Sequence, residues 1–218
     1  GAHYQQCGRF LDLCDENGIL VWEESLGWGN GQTYPDGSGR PDAILSGDPL
    51  TDAEFVRQQV VQTRAMVRES FNHPSVILYG FMNELGSYRP EARTLVEKLC
   101  KAVRDEDSGR PVTFACNRPF EEVCGDLVDV FAFNAYPGWN SVMPPGDSAQ
   151  LRHLVAEDEK RGVDFITRFL RRKYPDKPIL VSEIGCCGVY GHRDDAAAQW
   201  TEEFQSEYLG DAIDTVFG

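Results

Sequence analysis

An α/β fold with parallel strands is the class this sequence predicts, and three observations carry it. Apolar runs of strand length alternate with segments of helical period. The two most apolar runs, Val76 to Met82 and Pro178 to Val181, lack polar alternation, as strands covered on both faces do. Both stop on an acid: the first runs into Asn83-Glu84, the second into Ser182-Glu183.

The elements follow in order. Arg9 to Asn17 (RFLDLCDEN) has helical period, with Phe10, Leu13 and Cys14 on one face and Gly18 as the stop. Ile19 to Trp22 makes a strand ending at Glu23-Glu24, and a Gly-rich loop runs from Leu26 to Gly47. Thr51 is the expected cap of a long helix reaching Phe71, helped by Glu54 three residues on. After the strand to Glu84, a helix is expected from Pro90 to Asp107. Pro111 to Cys116 and Val128 to Tyr136 read as further strands. A helix from Ser148 to Tyr174, a strand over 178–183 and a helix from Asp195 to Phe217 complete the alternation. No repeat, low-complexity tract or linker is visible, so residues 1–218 are expected to form one domain.

A doubly wound sheet would usually show a Gly-rich phosphate turn after its first strand, and none is present. Polar residues instead close every strand: Glu24, Glu84, Asn117, Tyr136 and Glu183. A (β/α)8 TIM barrel displays such residues at its C-terminal rim. Closing that barrel takes eight strands, and the sequence offers five. The expectation is an incomplete barrel, with Gly1-Ala2-His3-Tyr4 as the rim of strand two and strands three to seven whole. Open apolar edges should then flank strands three and seven.

The composition, 41% hydrophobic and 26% charged, is that of an ordinary globular domain. A net charge of −14 argues against nucleic acid as partner, because phosphates call for clustered Lys and Arg. No apolar stretch approaches the length of a membrane span, and no signal peptide is visible at the start. The seven cysteines lack C-x-x-C spacing and fit neither a disulfide frame nor a zinc site. Cys14, Cys100 and Cys116 lie in apolar patterns as small core residues, and a reducing, cytoplasmic setting is expected.

Two carboxylates delivered to one barrel mouth are the equipment for cleaving a glycosidic bond. One is protonated as acid; the other is ionised as nucleophile. Once the nucleophile is spent as a glycosyl ester, the repulsion that kept the acid protonated disappears, and the acid can serve as base toward water. Asn83 stands beside Glu84, where its amide could reach a sugar hydroxyl. Tyr136 could donate to Glu183 and hold it ionised. Trp28 and Trp139 lie in Gly-containing rim loops, and flat apolar rings suit sugar faces. Glu23 and Glu24 point to opposite faces by strand alternation, and Glu24 is the one expected at the pocket. His73 precedes its strand, at the end away from the pocket, so a structural role is expected for it.

The runs FLDLCDENGILVWEE, NHPSVILYGFMNE, NAYPGW and ILVSEIG, in this order and spacing, resemble the catalytic barrel of glycoside hydrolase family 2. That family holds β-galactosidases, β-glucuronidases and β-mannosidases. The resemblance implies a retaining exo-β-glycosidase, with Glu84 as acid/base, Glu183 as nucleophile, and His3 and Tyr136 at the family's strand-two His and strand-six Tyr. It also implies jelly-roll and immunoglobulin-like domains ahead of the barrel. The Glu-x-His pair of magnesium-dependent β-galactosidases is replaced here by Ser25-Leu26-Gly27-Trp28-Gly29-Asn30, so neither metal nor other cofactor is expected. The Asn-x-Lys element of many β-glucuronidases is not seen either, and the sugar stays open. Rival readings are a magnesium-dependent enolase-type lyase, which needs a rim Lys or His base that no strand here supplies, and a truncated barrel that binds sugar without turnover.

Overall fold

The computed structural model describes residues 1–31, 48–136 and 162–217. Two compact units are present: Gly1–Phe133 with Asp176–Leu180, and Asn134–Pro175 with Val181–Gly218. Along the chain run α1 (Gly8–Asn17), β1 (Val21–Trp28), α2 (Ala53–Ser70), β2 (Val76–Asn83), a 3₁₀ turn (Pro90–Ala92) and α3 (Arg93–Glu106). Next come β3 (Val112–Thr113), β4 (Ala115–Cys116), β5 (Phe131–Ala135), α4 (162–173), β6 (Ile179–Ile184) and α5 (Glu202–Phe217). The strands hydrogen-bond in chain order, as β1-β2-β3 and β4-β5-β6. The β1–β2, β2–β3 and β4–β5 pairs are parallel, which is the alternating β/α arrangement the sequence predicts.

In the first unit, β2 is buried along nearly its whole length. Tyr79, Phe81 and Met82 are fully buried, and only Ile77 reaches solvent. Helix α2 packs through Val56, Thr63, Met66, Val67 and Ser70, a spacing that keeps one helical face inward. The buried Ser25 and Thr63 hydroxyls meet at 3.1 Å, tying β1 to α2. Helix α3 buries Leu95, Val96, Leu99, Cys100 and Val103 in the same manner. Cys14, Cys100 and Cys116 are core residues, and burial pushes the Cys100 thiol up to about 12.

Several local expectations are corrected. Asp52, not Thr51, caps α2, accepting the Phe55 N–H at 2.7 Å. Thr51 is already spent in a turn, where its N–H and hydroxyl both donate to the Asp48 carbonyl. Helix α1 buries Leu11 and Cys14, whereas Phe10 and Leu13 are exposed. The strand expected over 111–116 is broken at Phe114, whose buried ring leans on Phe81 at a centroid distance of 5.9 Å. Helix α5 begins at Glu202 rather than Asp195. Thr201 accepts the Phe204 N–H as its cap, and Ala197 and Trp200 take left-handed backbone that no helix continues through. The helix expected over 148–174 is described only from 162, and there it is helical.

Within the second unit, Ala197, Phe204 and Tyr208 form a small apolar cluster with Cys186 against it. Strand β6 is half-buried along its length, unlike β2. No helix among the described residues is long and apolar enough to cross a membrane.

Arg110, in the first unit, pins the N-terminal end of β2. Its guanidinium donates to the carbonyls of Val76 (2.5 Å), Phe71 (3.0 Å) and His73 (3.1 Å) and to the buried Asp107 carboxylate (2.6 Å). Removing it takes away three carbonyls' side-chain donor and the ion-pair partner of a buried carboxylate. Arg110→Ala should therefore destabilise the full-length protein by about 3 kcal/mol, read as a lower urea midpoint with an unchanged slope.

Candidate active site

Three clusters hold the residues the sequence singles out. The first forms where β2 ends. Met82 (φ 52°) and Glu84 (φ 50°) both take left-handed backbone, rare for residues with a Cβ. This strained corner is held from two sides. Gly29 N–H donates to the Asn83 carbonyl at 2.9 Å, and Glu84 N–H donates to the Ala115 carbonyl at 2.8 Å. Asn83 is buried and Glu84 half-buried. The Trp28 indole N–H reaches the Glu84 carboxylate at 3.2 Å. Trp28 pairs in register with Asn83, so three sequence-selected residues lie together.

The second cluster lies on β1. Glu24 is buried, and its carboxylate accepts the His3 N–H at 2.6 Å, with the His3 ring Nδ1 at 3.7 Å. The His3 carbonyl in turn accepts the Gly27 N–H at 3.2 Å, so the first residues of the chain run beside β1. Glu23 lies on the opposite face, the one Ser25 turns toward α2. It is fully buried there; one oxygen accepts the Gln6 N–H at 2.8 Å and the other has no hydrogen-bond partner among the described residues. Burial raises its carboxyl above the usual range, against the opposing pull of the Gln6 hydrogen bond.

The third cluster is in the second unit. The Tyr136 hydroxyl donates to the Glu183 carboxylate at 2.5 Å. Ser182, one residue earlier, donates to the side-chain oxygen of buried Asn134 at 2.7 Å. Asn134 went unselected in the sequence, although the run NAYPGW contains it. Trp139 lies outside the described residues.

One group of potential metal ligands occurs among the described residues: Asp12, Asp15 and His73, with donor atoms within 4.8 Å of one another. It lies at the N-terminal end of β2, opposite Glu84. Asp15 is already committed there to the His73 ring (2.7 Å) and the Ser75 N–H (2.8 Å), a brace between α1 and the turn before β2.

Chemically, the first and third clusters each present a carboxylate just at the C-terminal end of a strand, with a neutral donor aimed at it. The family model described as "Glycosyl hydrolases family 2, TIM barrel domain" matches residues 1–217. Among curated proteins, the chain is similar to the β-glucuronidase of Sus scrofa, 28% identical over 95% of the chain. It is also similar to that of Streptococcus agalactiae, again 28% identical over 95%. It spans 28% and 33% of the length of those two relatives. Among solved structures it resembles a GH2 β-galacturonidase from Eisenbergiella tayi bound to galacturonate, with TM-score 0.79 and 28% identity. That match covers 100% of this chain and 34% of the other.

Glu23 gives a test of the electrostatics. A carboxyl raised in the folded state favours folding while it is protonated, and that advantage is lost as pH rises above its ordinary value of 4.5. The stability of the wild type relative to Glu23→Gln should therefore fall as pH increases upward from about that value, measured by urea unfolding at a series of pH values.

Proposed function

The chain belongs to the TIM-barrel domain family of the family 2 glycosyl hydrolases, and on that footing we propose that it carries the catalytic carboxylates of a retaining exo-β-glycosidase. The reading rests above all on one observation: Glu84 and Glu183 each stand at the C-terminal end of a barrel-type strand with a hydrogen-bond donor directed at the carboxylate. In this mechanism the Glu183 carboxylate attacks the anomeric carbon while Glu84 protonates the departing glycosidic oxygen. The product is a glycosyl ester on Glu183. Glu84, now ionised, takes a proton from water as that water attacks the same carbon and frees Glu183.

Tyr136 donates to the nucleophile and fixes the direction of its carboxylate. Asn83, held rigidly beside Glu84, is suited to contact a sugar hydroxyl, and His3 with Glu24 forms a polar pair for another. Trp139 is kept as a candidate sugar platform. The names of the similar proteins favour uronic acid glycosides, so β-glucuronides and β-galacturonides head the substrate panel.

In the full-length protein, Glu183→Gln should abolish both turnover and covalent trapping by a 2-fluorosugar. Glu84→Gln should slow aryl glycosides with poor leaving groups far more than activated ones, which need little protonation. An experimental structure should place the two carboxyls about 5–5.5 Å apart. A separation of roughly 6.5–9.5 Å, or the label on another residue, would point to an inverting enzyme or another nucleophile.

A further inference from the structure

We infer that Trp28 is a positioning residue for Glu84, and that the irregular end of β1 exists to aim it. This rests on the reading of Glu84 as the acid/base. Three features of the first unit converge on it.

The register between β1 and β2 slips just before Trp28. Ser25 faces Phe81 and Trp28 faces Asn83, so two residues of β1, Leu26 and Gly27, oppose the single residue Met82. Such a bulge redirects the side chain that follows it. Here the redirected side chain is Trp28, and its indole N–H meets the Glu84 carboxylate at 3.2 Å.

The bulge depends on glycine. Gly27 has φ 134°, where side chains are strained, and a Cβ there would lie 2.5 Å from the Asn30 amide nitrogen. Its N–H is fixed to the His3 carbonyl, and the Gly29 N–H two residues on is fixed to the Asn83 carbonyl. The indole is thus anchored on both flanks.

Glu84 itself follows a backbone that needs such help. With left-handed φ at both Met82 and Glu84, the carboxylate leaves the strand at an unusual angle. An indole N–H is a donor only, and it offers no proton acceptor that would compete for the catalytic proton. It therefore fixes the direction of one carboxylate oxygen. Trp28 is half-exposed, so its substitution leaves the buried core of the unit untouched.

The experiment compares Trp28→Phe with wild type in the full-length protein, on 4-methoxyphenyl and 2,4-dinitrophenyl β-D-glucuronides, or the corresponding galacturonides if the panel prefers them. The readout is kcat/KM, which reports the step in which Glu84 donates its proton. The poor leaving group should lose about ten-fold, the scale of one hydrogen bond to a charged group, and the activated one less than about two-fold. In a Glu84→Gln background, Trp28→Phe should add almost nothing, because the interaction is already gone. Equal losses on both substrates, or losses that add in the double variant, would make Trp28 a packing residue or sugar platform and overturn the inference. If Glu84→Gln alone shows no dependence on leaving group, the acid/base reading fails first, and that outcome is separate because it does not involve Trp28.

Discussion

Strand β2 is covered on both faces for most of its length, and that constraint decides where charge can stand along it. A strand whose Tyr79, Phe81 and Met82 are fully buried cannot carry an ionised group along its length, because nothing there would solvate it. The chain must hold its acid back until the strand has ended. Asn83 and Glu84 therefore appear together at the C-terminal end, and the polar groups that receive the strand at its other end, Asp15, His73 and Arg110, are structural. One end of β2 is pinned, and the other is left to present chemistry.

The two ends differ in how their backbone is treated. At the N-terminal end, carbonyls of Phe71, His73 and Val76 all converge on one guanidinium, and Asp107 balances its charge. At the C-terminal end, Met82 and Glu84 sit in left-handed conformations that cost about 1–3 kcal/mol each. Strain of that size persists only where neighbours over-determine it, and the Gly29 and Ala115 hydrogen bonds from the flanking strands do so. The well-satisfied end stabilises what the strained end needs in order to aim Asn83 and Glu84.

Much of this was legible in the sequence because burial leaves a signature in residue type. The uninterrupted apolar runs gave the strands, Gly18 gave the end of α1, and the acids at the strand ends gave the candidate site. Two of the misses, at Thr51 and Phe114, share a cause: local propensity was overridden by another partner. Thr51 had the right chemistry for a cap, but the turn at Asp48 used it first, and Asp52 took the position. Leu11 replaced Phe10 and Leu13 on the buried face because a ten-residue helix offers too few turns to fix its phase from pattern alone. Phe114 interrupts a run that reads as one strand, since its ring is drawn to Phe81. The bulge at Leu26-Gly27 had a signal, an isolated glycine within a strand, which the sequence reading placed in a loop. That misplacement is why the pairing of Trp28 with Glu84 was not legible in the sequence.

The two candidate carboxylates are served by different donors, and the difference matches the roles proposed for them. Glu183 accepts a phenolic O–H at 2.5 Å, a short contact of the kind made between a hydroxyl and an anion. A nucleophile that must be aimed before it attacks is well served by a partner that holds its carboxylate closely. Glu84 accepts an indole N–H at 3.2 Å, at the long end of the range for nitrogen donors. An acid/base must exist as acid in one half-reaction and as base in the other, so a strong donor would favour one half at the expense of the other. A long contact from a donor-only group constrains the direction of the carboxylate. Glu23 illustrates the alternative: buried away from any such donor on one oxygen, it is raised by burial and offers nothing to solvent, although it stands next to Glu24 in the same strand. Among the acids of these strands, the environment each side chain enters, rather than its place in the sequence, separates the candidates for chemistry from those that pack.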